Sequence, residues 1–182
     1  MSDDTLLQTR LAALTRDGAL VEIDRDNLDS ETLVGRVLHQ TPYVVVLEKV
    51  DDAYRFDGVA AVRPSDITRL RSGGRELAAG GAAQPSAQTK PFQQSSLVEL
   101  TAMMTELEQR YGYVTLHAER PGRRTSFVGQ VLELDDDYIL MKTYAPLSRM
   151  DRKELLIRSD EITRVEAGGA YEATLIKAYS QE

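Results

Sequence analysis

The sequence ITRL at Ile67–Leu70 recurs 95 positions later as ITRV at Ile162–Val165. A Gly-Gly pair follows each stretch at the same spacing, at Gly73-Gly74 and at Gly168-Gly169. Self-similarity at a fixed spacing is the signature of a duplicated structural unit. We therefore expect two copies of one small domain in this chain.

Towards the N-terminus the match continues while its spacing shortens. Tyr43–Val46 align with Tyr138–Met141 at 95 positions, and Val34–Leu38 align with Val128–Leu132 at 94. The spacing falls to 93 where Leu7, Leu11 and Leu14 meet Leu100, Met104 and Leu107. Each one-residue step is expected in a loop. Chance matches would not change spacing only in loops, so the pattern favours a real duplication.

The two copies are predicted at residues 1–74 and 96–182, with a linker at residues 75–95. The linker reads RELAAGGAAQPSAQTKPFQQS, which is rich in Ala, Gly, Gln and Ser. Such a composition without apolar periodicity is typical of a flexible connection. Phe92 is the one large aromatic residue there, and we expect it to dock on one of the copies.

Each copy is predicted to begin with an amphipathic helix and to continue with five short antiparallel strands. Apolar residues recur at helical spacing near both starts, at Leu7, Leu11 and Leu14, and at Leu97, Leu100, Met104 and Leu107. Gly18 and Gly112 are the expected helix C-caps. Gly35 and Gly129 lie inside the second strand, where a glycine indicates a sharp bend or a close backbone approach. The predicted fold class is mainly β with short α: two tandem five-stranded bent antiparallel barrels.

This arrangement resembles the Sm-like (LSm) fold, a small SH3-like barrel. In the second copy, Gly129, Val131 and Asp135 fit the spacing of the family's first motif. The stretch IRSDEI at 157–162 is similar to its second motif. The resemblance implies a tandem Sm-like protein of the bacterial type, although a generic SH3-like barrel would give a similar pattern.

The first copy matches the family less closely. Gly35 and Val37 fit the first motif, but Thr41 stands where the family has an aspartate. The stretch VRPSDI at 62–67 takes the place of the second motif. The two copies are thus similar in architecture and not equivalent in detail.

In Sm-like proteins an arginine, an asparagine and a stacking residue grip an RNA base. The resemblance places Arg63 and Arg158 at the arginine position. The asparagine position falls on Ile139 and the stacking position on Asp137. An isoleucine cannot hydrogen-bond a base edge, and a carboxylate repels phosphates. With a net charge of −7, RNA binding is possible but disfavoured.

The other candidate binding residues are also arginines. Arg69 and Arg164 recur at equivalent positions and could bind an anion or form ion pairs with neighbouring acids. Arg123 and Arg124 end the basic segment RPGRR, which could hold phosphate or form a solvated turn.

Several classes of chemistry are excluded or unsupported. The chain has no cysteine, which rules out disulfides, zinc–thiolate sites and thiol nucleophiles. Neither histidine stands in a hydrolase or zincin motif. We predict no catalytic residue, metal or cofactor, and therefore no enzyme. No apolar stretch is long enough to span a bilayer, so we expect a cytoplasmic protein without a membrane partner.

The sequence therefore predicts a non-catalytic binding or scaffold protein. Exposed strand edges invite association, and Sm-like proteins pair their fourth and fifth strands between neighbours to form rings. We expect a ring-like homo-oligomer, for example a trimer of tandem chains. The alternative is an RNA-associated regulator that binds single-stranded RNA through Arg63, Arg158 and the Arg120–Arg124 loop.

Overall fold

The structure is a computed structural model that describes residues 5–83, 90, 92, 99–122, 124–146 and 151–180. The first half contains α1 (Leu6–Asp17), β1 (Leu20–Asp24), β2 (Leu33–Gln40), β3 (Val45–Val50), β4 (Phe56–Val62), β5 (Arg69–Ser72) and α2 (Arg75–Ala83). The second contains α3 (Leu100–Tyr111), β6 (Val114–Ala118), β7 (Thr125–Leu134), β8 (Tyr138–Tyr144), β9 (Arg152–Arg158), β10 (Arg164–Ala167) and α4 (Ala170–Tyr179). The same order of elements thus occurs twice, and each half has a short 3₁₀ turn before its fifth strand.

The ten strands form one antiparallel sheet in the order β5-β1-β2-β3-β4-β10-β6-β7-β8-β9. Within a half, the fifth strand pairs with the first and not with the fourth. Instead β4 pairs with β10 of the other half, with Val62 opposite Arg164 and Val59 opposite Ala167. The prediction of a mainly β protein with short helices is confirmed. The two separate Sm-like barrels are not, because the sheet is single and open.

The helix boundaries follow from their caps. Thr5 caps α1 through a reciprocal capping box with Gln8, which satisfies backbone groups that lack a partner at a helix start. Gly18 ends α1 and Gly112 ends α3, both in the left-handed conformation that glycine adopts without strain. The two predicted C-caps are confirmed.

Two apolar cores lie on opposite faces of the sheet centre. The first core packs α1 against its own strands, with Leu11, Leu14 and Leu47 among its members. The second packs α3 against β6–β10, and it also includes Val44, Val46, Val59 and Ala61 from the first half. Because side chains alternate along a strand, β3 and β4 supply one face to each core. The two halves therefore share the middle of the sheet.

Gly35 and Gly129 are sites of close backbone approach, as the sequence predicts. A Cβ atom at Gly35 would overlap the carbonyl oxygen of Glu48, and one at Gly129 would overlap that of Lys142. Both carbonyls belong to the neighbouring strand of the same copy. The glycines thus let β2 and β7 bend across their partners.

The alignment of Tyr43–Val46 with Tyr138–Met141 is wrong by one residue. Val37 lies opposite Leu47, and its equivalent Val131 lies opposite Met141. Leu47 and Met141 are therefore equivalent at a spacing of 94, and both are buried. The step to 95 falls between the third and fourth strands, because Val62 and Ile157 pair with equivalent residues, Val45 and Ile139.

Part of the predicted linker is helical. Arg75–Ala83 form α2, whose Leu77 packs with Leu20 and Val50, so a flexible connection is wrong for this part. Phe92 is buried in the second core beneath the guanidinium of Arg110, as expected. Linker residues 84–89, 91 and 93–95 lie outside the described residues, as do residues 96–98 with Leu97 of the predicted apolar helix face. Helix α4, which packs Leu175 and Tyr179 against Tyr144, is absent from the elements predicted from the sequence.

We predict that Gly35→Ala and Gly129→Ala each destabilise the protein by about 1–3 kcal/mol, because the added methyl meets backbone that has to shift. Chemical denaturation measures the change. Gly81→Ala is the matched control: its Cβ would meet only ordinary contacts, 3.7 Å from Leu20 Cγ, and it removes a helical glycine. Equal losses at all three positions would contradict this explanation.

Candidate functional site

The junction between the two halves is the most elaborate polar region of the described structure. It consists of the β4–β10 pairing, the contact of α3 with β4, and a set of buried charges at one end. The cross-strand hydrogen bonds fix the register, and the charges connect loops of one half with strands of the other.

A buried ion pair lies at the centre of these charges. The guanidinium of Arg25 donates two hydrogen bonds to the Glu119 carboxylate, at 2.6 and 2.9 Å. Arg25 is fully buried, although it lies in the connection after β1. The same carboxylate lies 2.9 Å from Arg164 and accepts a hydrogen bond from the Thr163 hydroxyl. A single carboxylate of the second half thus holds an arginine from each half.

A second carboxylate extends the network along the junction. Glu166 accepts a hydrogen bond from Lys49 of β3 at 2.9 Å and lies 3.2 Å from Arg164. Arg164 also donates to Glu31 at 2.7 Å, and the ring of His117 lies beside it. Cations and carboxylates therefore alternate across the boundary between the halves.

The network keeps both carboxylates ionised. Burial by itself would raise the pKa of Glu119, but the hydrogen bond from Arg25 and the charge of Arg164 lower it to about 2. Burial opposes ionisation of Glu166 as well, yet His117, Lys49 and Arg164 hold its pKa well below the ordinary value. Opposite charges at close range favour the charged form of each acid.

We predict that Glu119→Gln destabilises the folded chain by about 3–5 kcal/mol, because it leaves the buried Arg25 without a counter-charge. Urea denaturation measures the loss. Asp160→Asn is the control: it neutralises an acid that pairs with Arg158 in an exposed position, where ion pairs contribute little. A comparable effect of the two substitutions would contradict the importance of the buried pair.

Acid should weaken the fold through the same carboxylates. Because the pKa of Glu119 is lower in the folded chain than its ordinary 4.5, its contribution is complete above pH 4.5 and is lost as pH falls towards 2. The free energy of unfolding, followed from neutral pH to about pH 3, should decrease in this window. Glu119→Gln should make the decrease shallower, and an unchanged slope in that variant would contradict the assignment.

A cleft of about 810 Å³ opens where the turns of both halves meet the start of α3. Leu100 lines the cleft, and it also lines a small adjoining cavity together with the buried Met104 and Ile139. Tyr43 projects at its rim and is 58% exposed. Arg63 is its one cationic side chain among the described residues, against four carboxylates: Glu99, Asp135, Asp136 and Asp160. The cleft is therefore acidic overall.

The candidate arginines of the motif position do not form one binding site. Arg63 lines the cleft and donates a hydrogen bond to the Ile162 carbonyl at 2.6 Å, with Asp66 3.9 Å away. Arg158 makes a two-pronged ion pair with Asp160 at 3.0 and 2.7 Å. The guanidinium groups at the two motif positions are thus both engaged within the chain.

The other candidate arginines that the structure describes are also in ion pairs. Arg69 bonds to Asp24 and Asp26 at 3.0 and 2.6 Å, and Arg164 belongs to the buried network. Arg124 lies 3.3 Å from Asp29 of the first half. Arg123 lies outside the described residues. The sequence leaves both anion binding and ion pairs with neighbouring acids open for Arg69 and Arg164, and in the structure both residues form ion pairs.

The two end strands of the sheet are of the same types as the two strands that pair at the junction. Strand β5 is the first and β9 the last in the sheet order, and each has a hydrogen-bonded strand on one side only within the described structure. They are the fifth strand of the first half and the fourth strand of the second. Inside the chain a fifth strand and a fourth strand also pair with each other, namely β10 and β4.

An apolar surface next to β9 is uncovered. We define the outer patch as Leu132, Tyr138, Leu140 and Leu156, which face away from the second core. Three of the four are large apolar residues with 46%, 41% and 62% of their surface exposed: Leu132, Tyr138 and Leu156. By strand register their counterparts in the first half are Leu38, Val44, Val46 and Ala61. Those counterparts lie in the second core or pack against it.

No protein-family model, curated protein or solved structure matches this chain. Function therefore has to be argued from the site itself. None of the helices in the described part of the chain is long and apolar enough to cross a membrane.

Proposed function

We propose that the chain is a non-catalytic scaffold of two Sm-like units that assembles head to tail through its sheet edges. In this assembly β9 of one chain pairs with β5 of the next. The observation that carries the proposal is the internal β4–β10 pairing, which joins the same two types of strand. Each chain keeps one unpaired strand of each type.

The internal pairing also supplies a register for the contact between chains. Arg164 lies opposite Val62 and Val165 opposite Ala61. Replacing each residue by its equivalent puts Arg69 opposite Ile157 and Leu70 opposite Leu156. Leu156 is 62% exposed in the single chain, and this register gives it an apolar neighbour across the strands.

An edge of this kind is a liability in a monomer. Unpaired backbone groups and an exposed leucine on a terminal strand promote association with another strand. Because the two edges differ, the contact is head to tail, and repetition closes into a ring when the rotation per chain permits it. A ring of three chains would contain six copies of the unit.

RNA binding through Arg63, Arg158 and the Arg120–Arg124 loop stays a prediction with less support. The four carboxylates around Arg63 oppose the phosphates that dominate nucleic-acid affinity. Arg158 would have to leave Asp160, and Arg120 donates to the Asp160 carbonyl at 2.6 Å. We therefore place the assembly first.

We predict that a chain carrying Leu70→Cys forms a disulfide with a chain carrying Leu156→Cys. Opposed residues in antiparallel strands have Cα atoms about 4.5–5.5 Å apart, which is within the roughly 4.4–6.8 Å that a disulfide needs. The chain has no native cysteine, so the background is clean. Mixing the two variants under mild oxidation should give a linked dimer on a non-reducing gel.

Each single variant alone should stay unlinked, because a head-to-tail contact never brings identical positions together. Glu154→Cys mixed with Leu70→Cys is the register control and should stay unlinked. Position 154 lies two residues along β9 and diagonal to Leu70, at about 7–8 Å, which is too far for a disulfide. Linking of Leu156→Cys with itself would show a symmetric contact instead. A monomeric mass in light scattering at high concentration would overturn the assembly.

A further inference from the structure

We infer that helix α1 of the next chain covers the outer patch of the preceding one. This inference rests on the proposed head-to-tail assembly and specifies a second surface within it. The occupant is a second copy of this chain, in particular the side of α1 that carries Leu7 and Arg10.

The internal junction shows how the equivalent surface is covered. Val44, Val46 and Ala61 are completely buried, and they share the second core with Leu100, Met103 and Met104 of α3. Helix α3 also contacts β4 directly. A helix of one half thus covers the strand face of the other half, beside the strand pairing.

The outer patch is the same face without its helix. Its residues occupy the positions of Leu38, Val44, Val46 and Ala61, and no described element of the chain buries them. Three of them are larger than their covered counterparts, since Tyr138 replaces Val44, Leu140 replaces Val46 and Leu156 replaces Ala61. A contiguous exposed apolar surface of this kind indicates a binding surface.

Helix α1 has the matching surface, and part of it is exposed. When the buried residues of the two helices are aligned, Leu11 corresponds to Met104 and Leu14 to Leu107. Leu7 then corresponds to Leu100, and Arg10 corresponds to Met103. Met103 is completely buried, whereas Arg10 is exposed. On this side of α1, Leu7 is half-buried against the first core, and the exposed Arg10 donates a hydrogen bond to Ser72 at 3.1 Å.

The proposed contact has to accommodate larger side chains than the internal junction. The second core contains Met103 and the small Ala61, and the equivalent positions carry Arg10 and the larger Leu156. The aliphatic part of an arginine can lie along an apolar surface while its guanidinium reaches water. Arg10 can therefore cover the patch without burying its charge.

A groove beside β5 provides room for the start of β9. It measures about 700 Å³ and is lined by Arg10, Leu70 and the Gly73-Gly74 turn, with Glu22 and Glu76 on its walls. In the internal junction the equivalent Gly168-Gly169 turn lies against Gly58. The equivalents of Asp57 and Gly58 are Arg152 and Lys153. The groove also holds Arg10, Arg71 and Arg75, and Glu22 already pairs with Arg71, so it provides space and no charge preference. Lys153 needs that space, because a Cβ atom at Gly58 would overlap the backbone of Ala167 and Gly169 in the internal junction.

The test uses thiol protection in the full-length, cysteine-free chain. Arg10→Cys introduces a thiol on the surface that we expect to be covered. Arg16→Cys is the matched control on the same exposed helix, because its equivalent Gln109 stays exposed in the internal junction. The rate of labelling by a maleimide is compared between a concentration at which the protein is assembled and one at which it is dissociated.

We expect the thiol of Arg10→Cys to react roughly tenfold more slowly in the assembled protein, since reaction requires access to the sulfur. The Arg16→Cys rate should be nearly the same in both states. One outcome is that the chains assemble and the disulfide between Leu70→Cys and Leu156→Cys forms, while the thiols of Arg10→Cys and Arg16→Cys both stay reactive. In that case the helix contact is wrong and the strand pairing stands. A chain that remains monomeric overturns both proposals, and protection of Arg10→Cys in the dissociated chain assigns the cover to a contact within one chain.

Discussion

The antiparallel pairing of β4 with β10 is the interaction on which the rest of the structure depends. It joins two five-stranded halves into one sheet and gives β3 and β4 a side in each core. Without it, Val44, Val46, Val59 and Ala61 would form an exposed apolar face on the first half. The Arg25–Glu119 pair and its neighbours then lie buried only because this pairing excludes water from them.

The buried charges make the internal junction specific rather than merely stable. An ion pair in an apolar environment loses much of its attraction to desolvation, whereas a missing partner is costly. The equivalent of Arg25 in the second half is Ala118, at the spacing that aligns β1 with β6. A junction that used β9 and β5 would therefore lack this pair. The internal and external contacts share their strand geometry and differ in their chemistry, so that one does not readily substitute for the other.

The sequence predicts the parts of the fold that repeat locally. The caps at Gly18 and Gly112 and the tight approaches at Gly35 and Gly129 depend on the conformational needs of single residues, which a pattern can reveal. The pairing of β4 with β10 depends on which two strand edges meet. The apolar run Val59–Val62 would suit any buried strand, so it does not indicate the partner. Arg25 and Glu119 are charged residues at strand ends and give no sign of burial. The short helix α2 lacks the apolar periodicity that would distinguish it from linker, whereas α4 carries Tyr171, Leu175 and Tyr179 at helical spacing, a pattern that could have predicted it.

The two halves have similar residues on the face that packs against their own core and different residues on the opposite face. Positions that face each unit's own core carry similar apolar residues, such as Leu47 and Met141. On the opposite face the first half has small residues beneath α3, whereas in the second half no element of the described residues covers Tyr138 and Leu156. A face exposed permanently to water has no need of larger apolar side chains, and hydrophobic area on an edge strand promotes association. The divergence of the halves is therefore best explained by a second covering contact that comes from outside the chain.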